Sequence, residues 1–210
     1  MTVHSFSSAA GAAAPLTRAR VSGSLPVWSL SLGCPKNRVD TEHLLGSLGM
    51  PVHSVEHMGR ARLVFINTCG FIEPAVRESI RSILDAVERL GRCKRRPLLA
   101  VAGCMVGRYG VKDLAADLPE VDLWLPTGEL ENWPAMVREA LGLPAAPAAP
   151  GRLLSTGPSY AWLKVGEGCR HKCAFCTIPS IRGPLRSVPA ADLREEARGL
   201  LAGGGRELVL

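Results

Sequence analysis

The sequence predicts an α/β fold: a doubly wound parallel sheet, followed by the truncated start of a second βα structure. Two observations carry this expectation. Between residues 25 and 141, short apolar runs alternate with amphipathic stretches, the rhythm of parallel strands joined by helical crossovers. A stretch rich in proline and alanine and free of acids, residues 142–159, then interrupts the rhythm before it resumes.

The elements follow in order. Strands are expected over residues 27–32 (VWSLSL), 62–68 (RLVFINT), 98–102 (LLAVA) and 121–125 (VDLWL). Helices are expected over 40–48, 74–90, 107–117 and 129–141, with Ile80, Ile83, Leu84 and Val87 on the inward face of the second. Residues 142–159 read as a linker. Beyond it come a strand over 161–165, a cysteine-dense loop, a helix over 190–201, a triple-glycine turn and an apolar end over 207–210. The domain boundaries are therefore 1–24, a disordered extension; 25–141, the α/β domain; 142–159, the linker; and 160–210, an incomplete second domain. The extension is rich in serine and alanine, holds no acid, and carries Arg18 and Arg20.

Composition narrows the function classes. The chain has 210 residues, 47% of them hydrophobic, so a packed core is within reach. No apolar run reaches the ~18 residues needed to cross a bilayer, and no export signal opens the chain, so a cytoplasmic protein with no membrane partner is expected. The net charge of +6 suits an anionic partner without naming one. Seven cysteines in such a chain point to metal or redox chemistry rather than disulfides.

Six of the seven fall in two patterns. Cys169, Cys173 and Cys176 stand in GCRHKCAFC, a C-x3-C-x2-C spacing just after an expected strand. Three thiolates so placed can hold three irons of a cubane cluster and leave the fourth iron open, whereas zinc motifs pair their cysteines. Cys34, Cys69 and Cys104 each follow an expected strand. In an open parallel sheet, sites gather at the carboxyl ends of strands, so these three can meet at one point. Glycines at 33, 70 and 103 permit the tight loops such a meeting requires. Cys93, among Arg92, Lys94, Arg95 and Arg96, reads either as a surface cysteine or as an activated thiol. Arg182 and Arg186 read either as ordinary loop charges or as contacts to cofactor or substrate.

The segment GCRHKCAFC, with Phe175 before its third cysteine, resembles the signature of radical S-adenosylmethionine enzymes. The continuation TIPSIRGPLRSVP narrows the resemblance to the methylthiotransferases. SLGCPKNRVDTEHLLG (31–46) and INTCGFIEPAVRESI (66–80) resemble the RimO-type branch, which acts on an aspartate β-carbon in ribosomal protein S-twelve. The resemblance covers residues 27–210. It implies two 4Fe-4S clusters, one on Cys34, Cys69 and Cys104 and one on Cys169, Cys173 and Cys176, with S-adenosylmethionine on the open iron and Phe175 beside its adenine. It also implies a radical-SAM (βα) partial barrel of which residues 160–210 are the start, an electron donor such as flavodoxin or ferredoxin, and an N-terminal fragment inactive alone. A tRNA methylthiotransferase of the same superfamily, a non-catalytic iron–sulfur electron carrier and a zinc-dependent nucleic-acid module are the alternatives.

Overall fold

The computed structural model describes residues 23–145, 151–157 and 159–210. Five parallel strands form the main sheet in the order β2-β1-β3-β4-β5: β1 (Leu25–Ser31), β2 (Val52–Ser54), β3 (Leu63–Thr68), β4 (Leu98–Gly103) and β5 (Leu123–Pro126). The crossovers carry α1 (Pro35–Gly46), α2 (Glu73–Gly91), α3 (Cys104–Tyr109) and α4 (Val111–Asp117), and α5 (Trp133–Ala140) follows β5. Successive side chains of a strand point to opposite faces, and the sheet has a core on each. Leu25, Val27, Leu63 and Phe65 pack with Leu44 and Leu45 of α1 and Trp133 and Val137 of α5. Trp28, Leu30, Val64 and Ile66 pack with Ile83 and Leu90 of α2 and Val106 of α3. Helices on both faces of a parallel sheet make it the doubly wound fold that the sequence predicts.

The local chemistry explains where elements depart from expectation. Helix α1 begins at Pro35 rather than residue 40, because proline suits a first helical turn whose N–H groups have no intrahelical partner. The stretch expected as one helix over 107–117 is two, broken at Gly110 with φ 82°. The edge strand β2, three residues long, has no alternating pattern to reveal it.

The face of α2 is a correction. Ile83 is buried and Val87 packs partly against the core, but Ile80 and Leu84 are exposed. The inward stripe runs through Val76, Ser79, Ile83, Ala86 and Leu90. Ser79 fixes this rotation: its hydroxyl accepts from the Cys69 N–H (3.1 Å) and donates to the Cys69 carbonyl (2.9 Å).

The second unit begins with β6 (Tyr160–Trp162) and continues through β7 (Gly166–Glu167), α6 (Ile178–Arg182), β8 (Arg186–Ser187), α7 (Ala190–Ala202) and β9 (Glu207–Val209). The apolar end pairs parallel with β6, with α7 as part of the crossover between them. Strands β7 and β8 form a short antiparallel pair that brackets the cysteine loop. Of the expected linker, residues 151–157 lie against α1, where the Leu153 N–H donates to the Glu42 carbonyl at 3.0 Å. The expected disorder of residues 1–24 falls almost wholly outside the described residues.

The α2 register gives a direct check. Replacing Ile83 by alanine should cost about 2–4 kcal/mol, and replacing Leu84 by alanine should stay within about 1 kcal/mol, in urea denaturation of the two variants. Equal losses would contradict the observed face.

Candidate metal centre

The cysteine pole is built by strand register. Thr68 of β3 is level with Gly103 of β4, and Ser31 of β1 with Asn67 of β3. Cys69 and Cys104 are the next residues after that level pair, and Cys34 follows β1 by a short turn. All three thus leave the same edge of the sheet.

Two glycines let the loops close on each other. Gly33 has φ 82°, and a Cβ there would stand 2.7 Å from Cys69 Cβ and 2.8 Å from its sulfur. Gly103 has φ 103° and ψ −158°, a conformation essentially confined to glycine, and a Cβ there would stand 2.5 Å from the Thr68 carbonyl oxygen. A side chain at either position would force the pole apart.

A buried polar network then pins the loops. Asn37, in the first turn of α1, donates through Nδ2 to the carbonyls of Leu32 (2.8 Å) and Thr68 (2.9 Å). Asn67 Nδ2 donates to the Asn37 carbonyl (2.8 Å), and the Thr68 hydroxyl donates to the Ala102 carbonyl (2.5 Å). Asn67 Oδ1 is left buried without a partner. Arg108 of α3 donates to the Gly70 carbonyl at 2.7 Å, so the loop after Cys69 is tied to the helix that Cys104 opens.

The three thiols differ in setting. Cys34 is exposed, Cys69 half-buried and Cys104 buried. Burial pushes the Cys104 thiol above its ordinary pKa; the Arg182 guanidinium opposes this, and the neighbouring Cys69 and Cys34 add to it. Arg182 Nε donates to Cys104 Sγ at 3.2 Å. Of the two arginines left open by the sequence, Arg182 is buried at the pole and Arg186 is exposed in β8.

Cys169, Cys173 and Cys176 lie on the loop between β7 and α6. The Cys169 N–H donates to the Gly183 carbonyl (3.2 Å), and the Cys176 N–H donates to the Cys173 carbonyl (3.0 Å). Phe175 is 92% exposed, its ring free to meet a planar partner. Cys93 lies apart from both groups: it packs against the core beside Gly59, and its thiol donates to the Arg89 carbonyl at 3.5 Å.

Among the described residues, no three His, Cys, Asp or Glu side chains stand close enough to close on a metal ion as they are. The donor chemistry nevertheless fits iron–sulfur clusters. Each group offers three thiols without a fourth cysteine, and thiolate is the ligand such clusters take.

Beneath the pole lies a set of charges that residue spacing did not reveal. Asp40 and Glu42 of α1 are buried. Asp40 pairs with Lys164 and, at 3.2 Å, with Arg182; Glu167 pairs with Arg182 at 2.7 Å and Lys164 at 3.1 Å. Burial works to raise the Glu167 pKa, but the Arg182 and Lys164 charges outweigh it and hold the carboxyl below its ordinary value. Arg152 Nη2 stands 2.7 Å from Glu42 Oε2, although its hydrogens are not aligned for a bond there; its Nε donates to the same oxygen at 2.8 Å. The one sequence signal was α1 itself: PKNRVDTEHLLG, which follows a buried strand, has no continuous apolar face.

Comparison with known proteins places this arrangement. Residues 27–126, which hold the sheet and the cysteine pole, match a family described as Uncharacterized protein family UPF0004. The chain is 65% identical over 186 residues to the ribosomal protein uS12 methylthiotransferase RimO of Nitratidesulfovibrio vulgaris strain DP4, covering 89% of this chain and 43% of that protein. It is 62% identical over 185 residues to the protein of that name from Oleidesulfovibrio alaskensis, with 88% and 43% covered, and 51% identical over 189 residues to that from Lawsonia intracellularis, with 90% and 43% covered. Residues 27–126 thus form an α/β unit similar to the UPF0004 family. More particularly, the chain is similar over 88–90% of its own length to proteins named as RimO-type methylthiotransferases, and it spans 43% of the length of these relatives. No helix among the described residues is long and apolar enough to cross a membrane.

Gly103→Ala tests the pole. The variant should lose about 2–4 kcal/mol in chemical denaturation of the metal-free chain, from the disallowed backbone and the clash together. A stability within about 0.5 kcal/mol of wild type would mean that the pole tolerates a looser geometry.

Proposed function

We propose that this chain is the cluster-holding part of a radical S-adenosylmethionine methylthiotransferase that modifies the β-carbon of an aspartate in ribosomal protein uS12. The observation that carries the reading is the delivery of Cys34, Cys69 and Cys104 by three neighbouring parallel strands to one edge of the sheet. The names and identities of the relatives support the substrate.

In this reading Cys34, Cys69 and Cys104 hold one 4Fe-4S cluster, and Cys169, Cys173 and Cys176 hold the other. An unactivated C–H bond has no proton acidic enough for a side chain to remove, so the cluster at Cys169–Cys176 with S-adenosylmethionine would supply the radical chemistry. The protein's own part is to hold and orient. Gly33 and Gly103 keep the space at the first site open, and Asn37, Asn67 and Ser79 fix the loops that carry its thiols. Phe175, exposed beside Cys176, offers a ring for the adenine. The domain division at residues 141/142 and 159/160 gives each cluster its own unit, with residues 160–210 as the start of a partial barrel. A small electron carrier such as flavodoxin or ferredoxin would supply the electron, in the cytoplasm where ribosomes are made.

Anaerobic reconstitution with iron and sulfide tests the reading. Wild type should take up about eight irons per chain, and Cys104→Ala or Cys173→Ala should take up about four. Stoichiometric zinc with little iron, even under reconstitution, would overturn it. In the protein extended to the length of its relatives, the methylthio group should appear by mass spectrometry on a uS12 aspartate; its appearance on tRNA instead would move the substrate to the sister branch.

A further inference from the structure

The charges beneath the pole converge on one side chain. Arg182 is the last residue of α6, six residues after Cys176, and its side chain is 3% exposed. Its guanidinium meets four partners drawn from three elements. Nε donates to Cys104 Sγ at the start of α3 (3.2 Å). Nη1 donates to Glu167 of β7 (2.7 Å) and Asp40 of α1 (3.2 Å), and Nη2 donates to Asn37 Oδ1 of α1 (2.5 Å). Only a planar fork of N–H donors serves so many directions at once; an ammonium offers a single point of charge.

The loop that carries Cys169, Cys173 and Cys176 is referred to this residue at both ends. Its far end runs through Cys176 into α6 and so to Arg182. Its near end is closed by the bond from the Cys169 N–H to the carbonyl of Gly183, the residue after Arg182. Helix α6 itself is pressed onto the first domain: the Thr127 hydroxyl donates to the Ile181 carbonyl at 2.5 Å, and a Cβ on Gly107 of α3 would stand 2.8 Å from that same oxygen.

Charge completes the picture. Arg182 and Lys164 balance Asp40 and Glu167, and Lys36 lies 4.0 Å from Glu167 as a third cation. Three cations thus share the two carboxylates Asp40 and Glu167, and the one among them that meets Cys104 is Arg182, of the sign that suits sulfur bearing negative charge there. A buried guanidinium of this kind costs much to strip of its partners, so it favours one seated arrangement over a loose one.

We propose that Arg182 is the positioning residue that couples the two cysteine groups: it seats the Cys169–Cys176 loop on the pole and holds the Cys104 sulfur by a charge-assisted hydrogen bond. The seating stands on the metal-free geometry; the effect on a bound cluster rests on the function proposed above.

Two readouts on the full chain separate these parts. In the first, Cys104 of the metal-free protein is alkylated with N-ethylmaleimide and followed by mass spectrometry, with Cys93 as the reference for intact folding. Arg182→Met should speed Cys104 modification at least about tenfold relative to Cys93, because a buried ion pair that loses one partner opens. Arg182→Lys, which keeps the charge and folds under a milder loss, should fall between. Unchanged Cys104 rates in both variants would overturn the seating. In the second, the chain carrying Cys169→Ala, Cys173→Ala and Cys176→Ala is reconstituted, so that only the first cluster is present. Adding Arg182→Met should lower its midpoint potential, with Arg182→Lys restoring part of the shift, because loss of a nearby cation and of a hydrogen bond to sulfur both disfavour the reduced state. Identical potentials would overturn the hold on Cys104 and leave a purely structural strut. Failure of the wild-type chain to take up iron would sink the cluster reading alone, since the alkylation result is decided without metal.

Discussion

Everything at the candidate centre depends on the parallel register that ends adjacent strands level. Because Thr68 pairs with Gly103, Cys69 and Cys104 must leave the sheet side by side, and Cys34 turns in beside them at the end of β1. A parallel sheet buried on both faces holds such a register firmly, since a slip of one residue would turn Phe65 and Val64 into each other's cores. The constraint reaches outward as well. Gly33 and Gly103 are needed where the loops pass within contact of one another, and α2 is rotated so that Ser79 rather than Ile80 faces inward and grips the Cys69 backbone.

The second consequence is the use of charge where apolar packing would be expected. Helix α1 lies against the sheet with Leu44 and Leu45, but its first turns bury Asn37, Asp40 and Glu42. Asn37 fastens the strand ends, and the two acids meet cations from later in the chain: Lys164 and Arg182 of the second unit at Asp40, and Arg152 of the segment before it at Glu42. Buried ion pairs add little net stability compared with packed apolar groups, yet they penalise any arrangement that leaves a charge unpaired. A junction built this way is specific in geometry.

The fold was legible in the sequence where periodicity is strong. The buried strands β1, β3 and β4 read as apolar runs, and the cysteines after them were visible as a set because each followed a strand. What escaped was governed by tertiary contacts. Pro35 starts α1 early, which only helix-start chemistry would show, and β2 and the β7–β8 pair are too short for a pattern. Ile80 and Leu84 carry the right spacing for a buried stripe, but the hydrogen bonds of Ser79 outrank it. Arg182 read equally as a loop charge, because its partners lie 15 to 145 residues away along the chain.

Before any metal arrives, Cys34, Cys69 and Cys104 already leave one edge of the sheet as neighbours, within reach of a small thiol-bridging reagent. Treating the metal-free chain with stoichiometric phenylarsine oxide, which bridges neighbouring thiols, and mapping the bridged peptides by mass spectrometry tests it most directly. Arsenic bridges are expected between the peptides of Cys34, Cys69 and Cys104, independent of Cys169, Cys173 and Cys176 when those are replaced by alanine. Bridging confined to Cys169–Cys176 in the unaltered chain, with the three strand-end cysteines modified singly or not at all, would contradict it.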